Sequence, residues 1–89
     1  MGEPAKERAT TLKEIVLEVV EVHGEEGIEK LTLELKTKLK AIAAGILDGS
    51  GPKTERRNEQ LFNDAIAELE TAGKILIKGI GRAEYVSIA

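Results

Sequence analysis

The sequence predicts an α+β domain made of three amphipathic helices and a C-terminal β-hairpin. Three observations carry that prediction. Apolar residues recur at helical spacing in three stretches, near 10–24, 33–47 and 54–73. The segment "GEEGIEKLTLE" between the first two reads as a turn and a short extended piece. Beyond residue 73, "KILIKGIGRAEYVSIA" alternates about a glycine turn, as a hairpin does. With 89 residues the chain suffices for one small domain and not for two. The expected division is a flexible N-terminal segment, 1–9, and a domain over 10–89.

In helix one, "TTLKEIVLEVVEVHG", Leu12, Ile15, Val16, Val19 and Val20 form the apolar stripe opposite Glu14, Glu18 and Glu21. Thr10 or Thr11 caps its start and Gly24 ends it, with His23 suited to the dipole there. Leu17 and Val22 widen the stripe on both flanks, either as core or as a face for a second subunit. Ile28, Leu31 and Leu33 are expected inward on the extended piece. Helix two, "LELKTKLKAIAAGIL", is expected to be capped by Thr32. It has Leu35, Leu39, Ile42 and Ile46 on one face, and Lys36, Thr37 and Lys40 on another. Gly45 weakens it, and 48–52 must be loop. Helix three, over 54–73, aligns Leu61, Phe62, Ala65, Ile66, Leu69 and Ala72, with Gly73 as the stop. In the hairpin, Ile75 and Ile77 alternate with Leu76 and Lys78. Gly79, Ile80, Gly81 and Arg82 make the tip, and Tyr85, Val86 and Ile88 return.

Composition excludes several chemistries. The chain has no cysteine, which removes disulfides, thiolate metal sites and thiol catalysis. One histidine cannot build a metal site, and Ser50 and Ser87 lack a histidine base, so no catalytic residues, metal or cofactor are expected. No apolar run is long enough to span a bilayer and no signal-peptide pattern is present, which points to a soluble cytoplasmic domain.

The loop "DGSGPKTERRNEQ", from Asp48 to Gln60, superficially resembles a phosphate-binding P-loop. That motif requires glycines one and six residues before the lysine, and Pro52 and Leu47 stand there. Proline also lacks the N–H such a cradle would use.

Net charge is −3, but it is unevenly distributed. Residues 1–35 carry nine acids and four bases, a balance of −5. Residues 36–58 carry six bases (Lys36, Lys38, Lys40, Lys53, Arg56, Arg57) and two acids, a balance of +4. Residues 59–89 carry five acids and three bases, a balance of −2. Local potential matters more to a polyanion than the total, so the basic middle reads either as a nucleic-acid footprint or as a solvated charged surface. The chain's only amides, Asn58, Gln60 and Asn63, all lie beside Arg56 and Arg57. Asn and Gln match adenine edges and Arg matches guanine, which makes this the residue set of a base-reading helix.

The order helix, short strand, helix, loop, helix, hairpin resembles a winged helix-turn-helix domain over about residues 10–89. The segment "LFNDAIAELETAGKILIKGIGRAEYVSI" carries the likeness most directly. In it Leu69, Gly73 and Ile75 fit the family's L-x-x-x-G-x-I ending of the third helix, and the wing hairpin follows. It is also similar to winged helices of plasmid and phage replication proteins and of some restriction enzymes. The resemblance implies double-stranded DNA as partner, helix three in the major groove, and the wing (75–88) on backbone or minor groove. It implies a nucleoid-associated role in transcription regulation, DNA replication or plasmid maintenance, as a free regulator or within a larger assembly.

A helical wheel of 54–73 turns Arg56, Gln60, Asp64, Ala67 and Thr71 outward, with Arg57 and Asn63 on the flanks. Asn58 falls nearer the core and reads as a cap for a late-starting helix. The implied DNA-binding residues are Arg56, Arg57, Gln60 and Asn63, with Lys53, Lys36, Lys40, Lys78 and Arg82 on phosphates. Asp64 and Glu68 are expected to repel a duplex and weaken a monomer, which a homodimer through Leu17 and Val22 would offset. The rival expectation is a winged-helix protein–protein module, suited by the acidic first third and by Ile80 at the wing tip. Stacking on single strands is disfavoured, since Phe62 lies on the core stripe and Tyr85 is alone.

Overall fold

The computed structural model describes residues 11–49 and 51–89. The segment 1–9, a cap from Thr10, and Ser50 lie outside the described residues. The chain forms helix α1 (Leu12–His23), a 3-10 turn (Gly24–Glu26) and strand β1 (Ile28–Glu29). Helices α2 (Lys30–Ala43) and α3 (Pro52–Thr71) follow, and then strands β2 (Ile75–Ile80) and β3 (Ala83–Ile88). The three strands are antiparallel in the order β1-β3-β2. The architecture of the described residues is therefore α+β, with three α-helices against a three-stranded sheet, a layout compatible with a winged helix.

Helix α1 begins with a reciprocal cap. The Thr11 hydroxyl accepts from the Glu14 N–H at 3.1 Å, and the Glu14 carboxylate accepts from the Thr11 N–H at 2.8 Å. The helix buries Ile15, Val16, Val19 and Val20, as its spacing predicts. On the sheet, Ile28 and Ile77 both pair with Val86, and Ile75 pairs with Ile88, so one apolar face looks inward. It meets Val16 and Val20 of α1, Leu33 of α2, and Phe62, Ile66 and Leu69 of α3. Each such side chain contributes about 1.5–3 kcal/mol when fully buried. A second, smaller cluster joins Ile15, Ala41 and Leu47, with Leu12, Ile42 and Ile46 packed on it.

Helix α2 departs most from expectation. It starts at Lys30 with Glu29 at the N-cap and no side-chain cap, so Thr32 lies inside the helix. Residues 31 and 33 are thus about 200° apart around the axis. Only Leu33 can point inward, and Leu31 is 72 % exposed. The buried line is Leu33, Thr37 and Ala41, while Leu35 and Leu39 face solvent. The helix ends earlier than predicted. Gly45, at φ +78°, donates its N–H to Ile42 O at 3.0 Å, and Ile46 N–H reaches back to Ala41 O at 2.8 Å. Those two bonds close a left-handed terminator, so Gly45 stops the helix rather than weakening its middle.

Helix α3 starts two residues earlier than predicted, with Gly51 as N-cap and Pro52 at the first position, where proline's missing N–H costs nothing. Asn58 is therefore mid-helix and does not cap. Of the predicted stripe, Phe62, Ala65, Ile66 and Leu69 are buried, whereas Leu61 and Ala72 are exposed. The same pair of terminating bonds recurs at its end, from Gly73 N–H to Glu70 O and from Lys74 N–H to Leu69 O. In the hairpin, Ile80 pairs with Ala83, so the turn is only Gly81 and Arg82, and Gly79 and Ile80 belong to β2. Gly81 has φ +63°, and Arg82 has no positive φ, which fits a two-residue turn with glycine first.

Candidate nucleic-acid interface

The start of α3 gathers most of the predicted base-reading set. Lys53 lies in its first turn and Arg56 one turn further on, and together with Gly51, Pro52 and Thr54 they border a shallow surface groove. No side-chain hydrogen bond caps this end among the described residues, so its dipole faces outward beside two cations. Arg56, Gln60, Asn63 and Ala67 follow at helical spacing and are all exposed, opposite the buried line of Asn58, Phe62, Ala65 and Leu69.

Asn58 holds this helix to the preceding loop. It is 5 % exposed, and its Nδ2 donates to the Asp48 carbonyl at 2.7 Å. The bond satisfies a buried amide and fixes where α3 begins relative to the end of α2.

Asn63 also lines an open cleft of about 620 Å³ between α2, α3 and the hairpin, with Glu59, Leu31, Glu34, Ile80 and Arg82. One predicted wing residue, Arg82, is thereby brought beside α3. The cleft also has an acidic wall. Burial and the nearby Glu59 carboxylate raise the Glu34 carboxyl above its ordinary range, against the lowering pull of Lys38 and Lys30. Lys30 itself reaches Glu84 on β3 at 3.5 Å.

The other predicted residues are distributed around the molecule. Lys40 lies 3.8 Å from Glu18, on the flank of α2 that meets α1, and Lys36 precedes it by one turn on that flank. Neither is brought to the Asn63–Arg82 cleft, whereas Lys38, which the sequence reading left unassigned, acts on Glu34 there. Arg57 follows the other flank of α3, on the side of Leu61, Asp64 and Glu68, which border a groove with Thr11 to Lys13. Lys78 pairs with Tyr85, and Tyr85 with Glu29, in a row on the sheet face away from the core.

Of the two acids expected to repel a duplex, one is ion-paired and the other keeps its charge without a cationic partner among the described residues. Glu68 is held by Lys13 at 2.9 Å, and Asp64 accepts a long bond of 3.4 Å from Gln60. Three ion pairs occur among the described residues, and none of them involves Lys36, Lys53, Arg56, Arg57, Lys78 or Arg82. All three are at least partly open to solvent and contribute little to stability.

The two residues of the expected dimer face lie on opposite flanks of α1 and differ in burial. Leu17 is half-buried against the main core, while Val22 is exposed and lies about 140° away around α1. No group of three potential metal ligands occurs among the described residues, and none of their helices is long and apolar enough to cross a membrane.

No protein-family model, curated protein sequence or solved structure matches the chain.

Proposed function

We propose that the chain is a winged helix-turn-helix domain that binds duplex DNA, with α3 in the major groove and the hairpin on backbone or minor groove, in transcription regulation or DNA replication. The observation that carries this reading is the exposed row Arg56, Gln60 and Asn63, with Arg56 outside every ion pair among the described residues and Asn63 sharing a cleft with Arg82. The element order and the β1-β3-β2 sheet support it. Gln60 and Asn63 supply adenine-matching amides, and Lys53, Arg56 and Arg82 supply phosphate contacts. Lys78 adds a contact only if the outer sheet face also meets the backbone.

Fluorescence anisotropy with a mixed-sequence duplex across a salt series tests it. Three or four phosphate contacts give a log–log slope of about −3, and Arg56→Ala flattens the slope by about 1. Absence of binding at low salt, or a slope unchanged by Arg56→Ala, ends the proposal. A second reading, a protein-interaction module within a replication or transcription complex, draws support from the acidic wall of Glu34 and Glu59 in the same cleft.

A further inference from the structure

Helix α2 carries two apolar faces, and the more apolar one is outside. Leu33, Thr37 and Ala41 are at most 1 % exposed, whereas Leu31, Leu35 and Leu39 stand 72 %, 54 % and 61 % exposed. One exposed leucine is ordinary. Three at strict four-residue spacing, extended by the exposed Ala43, form a continuous ridge along one side of the helix. Such a ridge packs into the groove beside an identical ridge, with the two helices crossing at about −50°.

We propose that this ridge is a homodimer interface, in which two copies of the chain pack α2 against α2, antiparallel, about a two-fold axis at Leu35. Leu31 of each copy then meets Leu39 of the other. Charge on the rim favours a second copy as the occupant. Glu34 and Lys38 lie one turn apart on the flank that looks toward Glu59 of α3. The two-fold axis brings Glu34 of one copy alongside Lys38 of the other, twice over. Glu34 is a carboxylate already crowded by Glu59, so a further lysine suits it. The opposite rim sets the two Lys36 side chains facing each other in solvent, which limits affinity. A core of three leucines per copy corresponds to a small, transient interface that forms at high protein concentration. The arrangement shares Leu31 and Glu34 with the Asn63–Arg82 cleft, but it does not rest on DNA binding.

Sedimentation velocity over a concentration series, without DNA, tests the proposal. The chain should pass from monomer to dimer. Leu35→Lys should remain monomeric with an unchanged melting curve, since that side chain is already half in water. Val22→Lys, at a more exposed site on α1, should dimerise as before. The chain has no cysteine, so mixed Leu31→Cys and Leu39→Cys chains should oxidise to the crossed disulfide dimer that antiparallel packing requires. A monomer at every concentration, a dimer that survives Leu35→Lys, a dimer lost in Val22→Lys, or disulfides only between like variants would each overturn it.

Discussion

Thr37 and Asn58 are the two buried polar side chains among the described residues, and they have opposite accounts. Asn58 is satisfied by the Asp48 carbonyl, whereas the Thr37 hydroxyl has no partner among the described residues. An orphaned buried hydroxyl costs about 1–3 kcal/mol, and valine has nearly the same shape. Thr37→Val should therefore raise stability by about 1 kcal/mol in thermal or urea denaturation. A drop would mean that the hydroxyl is satisfied after all. The inward side of Asn58 was legible from the helical wheel, but its partner was not, because Asp48 lies across a loop that has no periodicity to read. The burial of Thr37 was illegible for a simpler reason: its polarity assigned it to the wrong face.

At the scale of elements, the sequence reading located the three α-helices of the described residues and both hairpin strands, and erred where two periods compete. "IEKLTLEL" alternates every second residue, which suggests strand, and also repeats every fourth, which suggests helix. The helical period wins from Lys30 onward and carries Leu31 outward. Gly45 was recognised as a helix fault, whereas its work is termination. No atom lies within 4 Å of a Cβ built there, so a substitution would clash with nothing. Gly45→Ala should nevertheless destabilise the fold by roughly 1–2 kcal/mol, through the positive φ alone. An unchanged urea midpoint would show that α2 can continue into 44–47 at no cost.

For the whole molecule, the division of the core into a large and a small cluster sets a hierarchy of stability. The small one holds Ile15, Ala41 and Leu47 near the start of α1 and the end of α2. Regions with fewer buried contacts open at lower free energy. Amides at 41–47 should thus exchange hydrogen measurably faster than those of Leu69, Ile75 and Val86. Equal protection would mean that both clusters unfold as one unit. The candidate site was legible in part for a related reason. Linear sequence gathers the bases of 36–58 into one block, and the fold then divides them, with Lys40 on the α1 flank and Arg56 on the outer face of α3. Arg82 reaches the Asn63 cleft from a distant hairpin, a meeting that composition could not show.

The two-residue strand β1 has a consequence out of proportion to its length. Turning α2 by about 200° about its own axis would exchange Leu33, Thr37 and Ala41 for three leucines, a competing arrangement with more hydrocarbon in the core. The folding landscape of this chain therefore contains a decoy. The pairing of Ile28 with Val86 and of Glu29 with Tyr85 ends at the residue before Lys30, so no slack remains for the helix to rotate. Those two residues act as an index pin. They make the native rotation of α2 the one consistent with the closed sheet, at the expense of the face that hydrophobicity alone would choose.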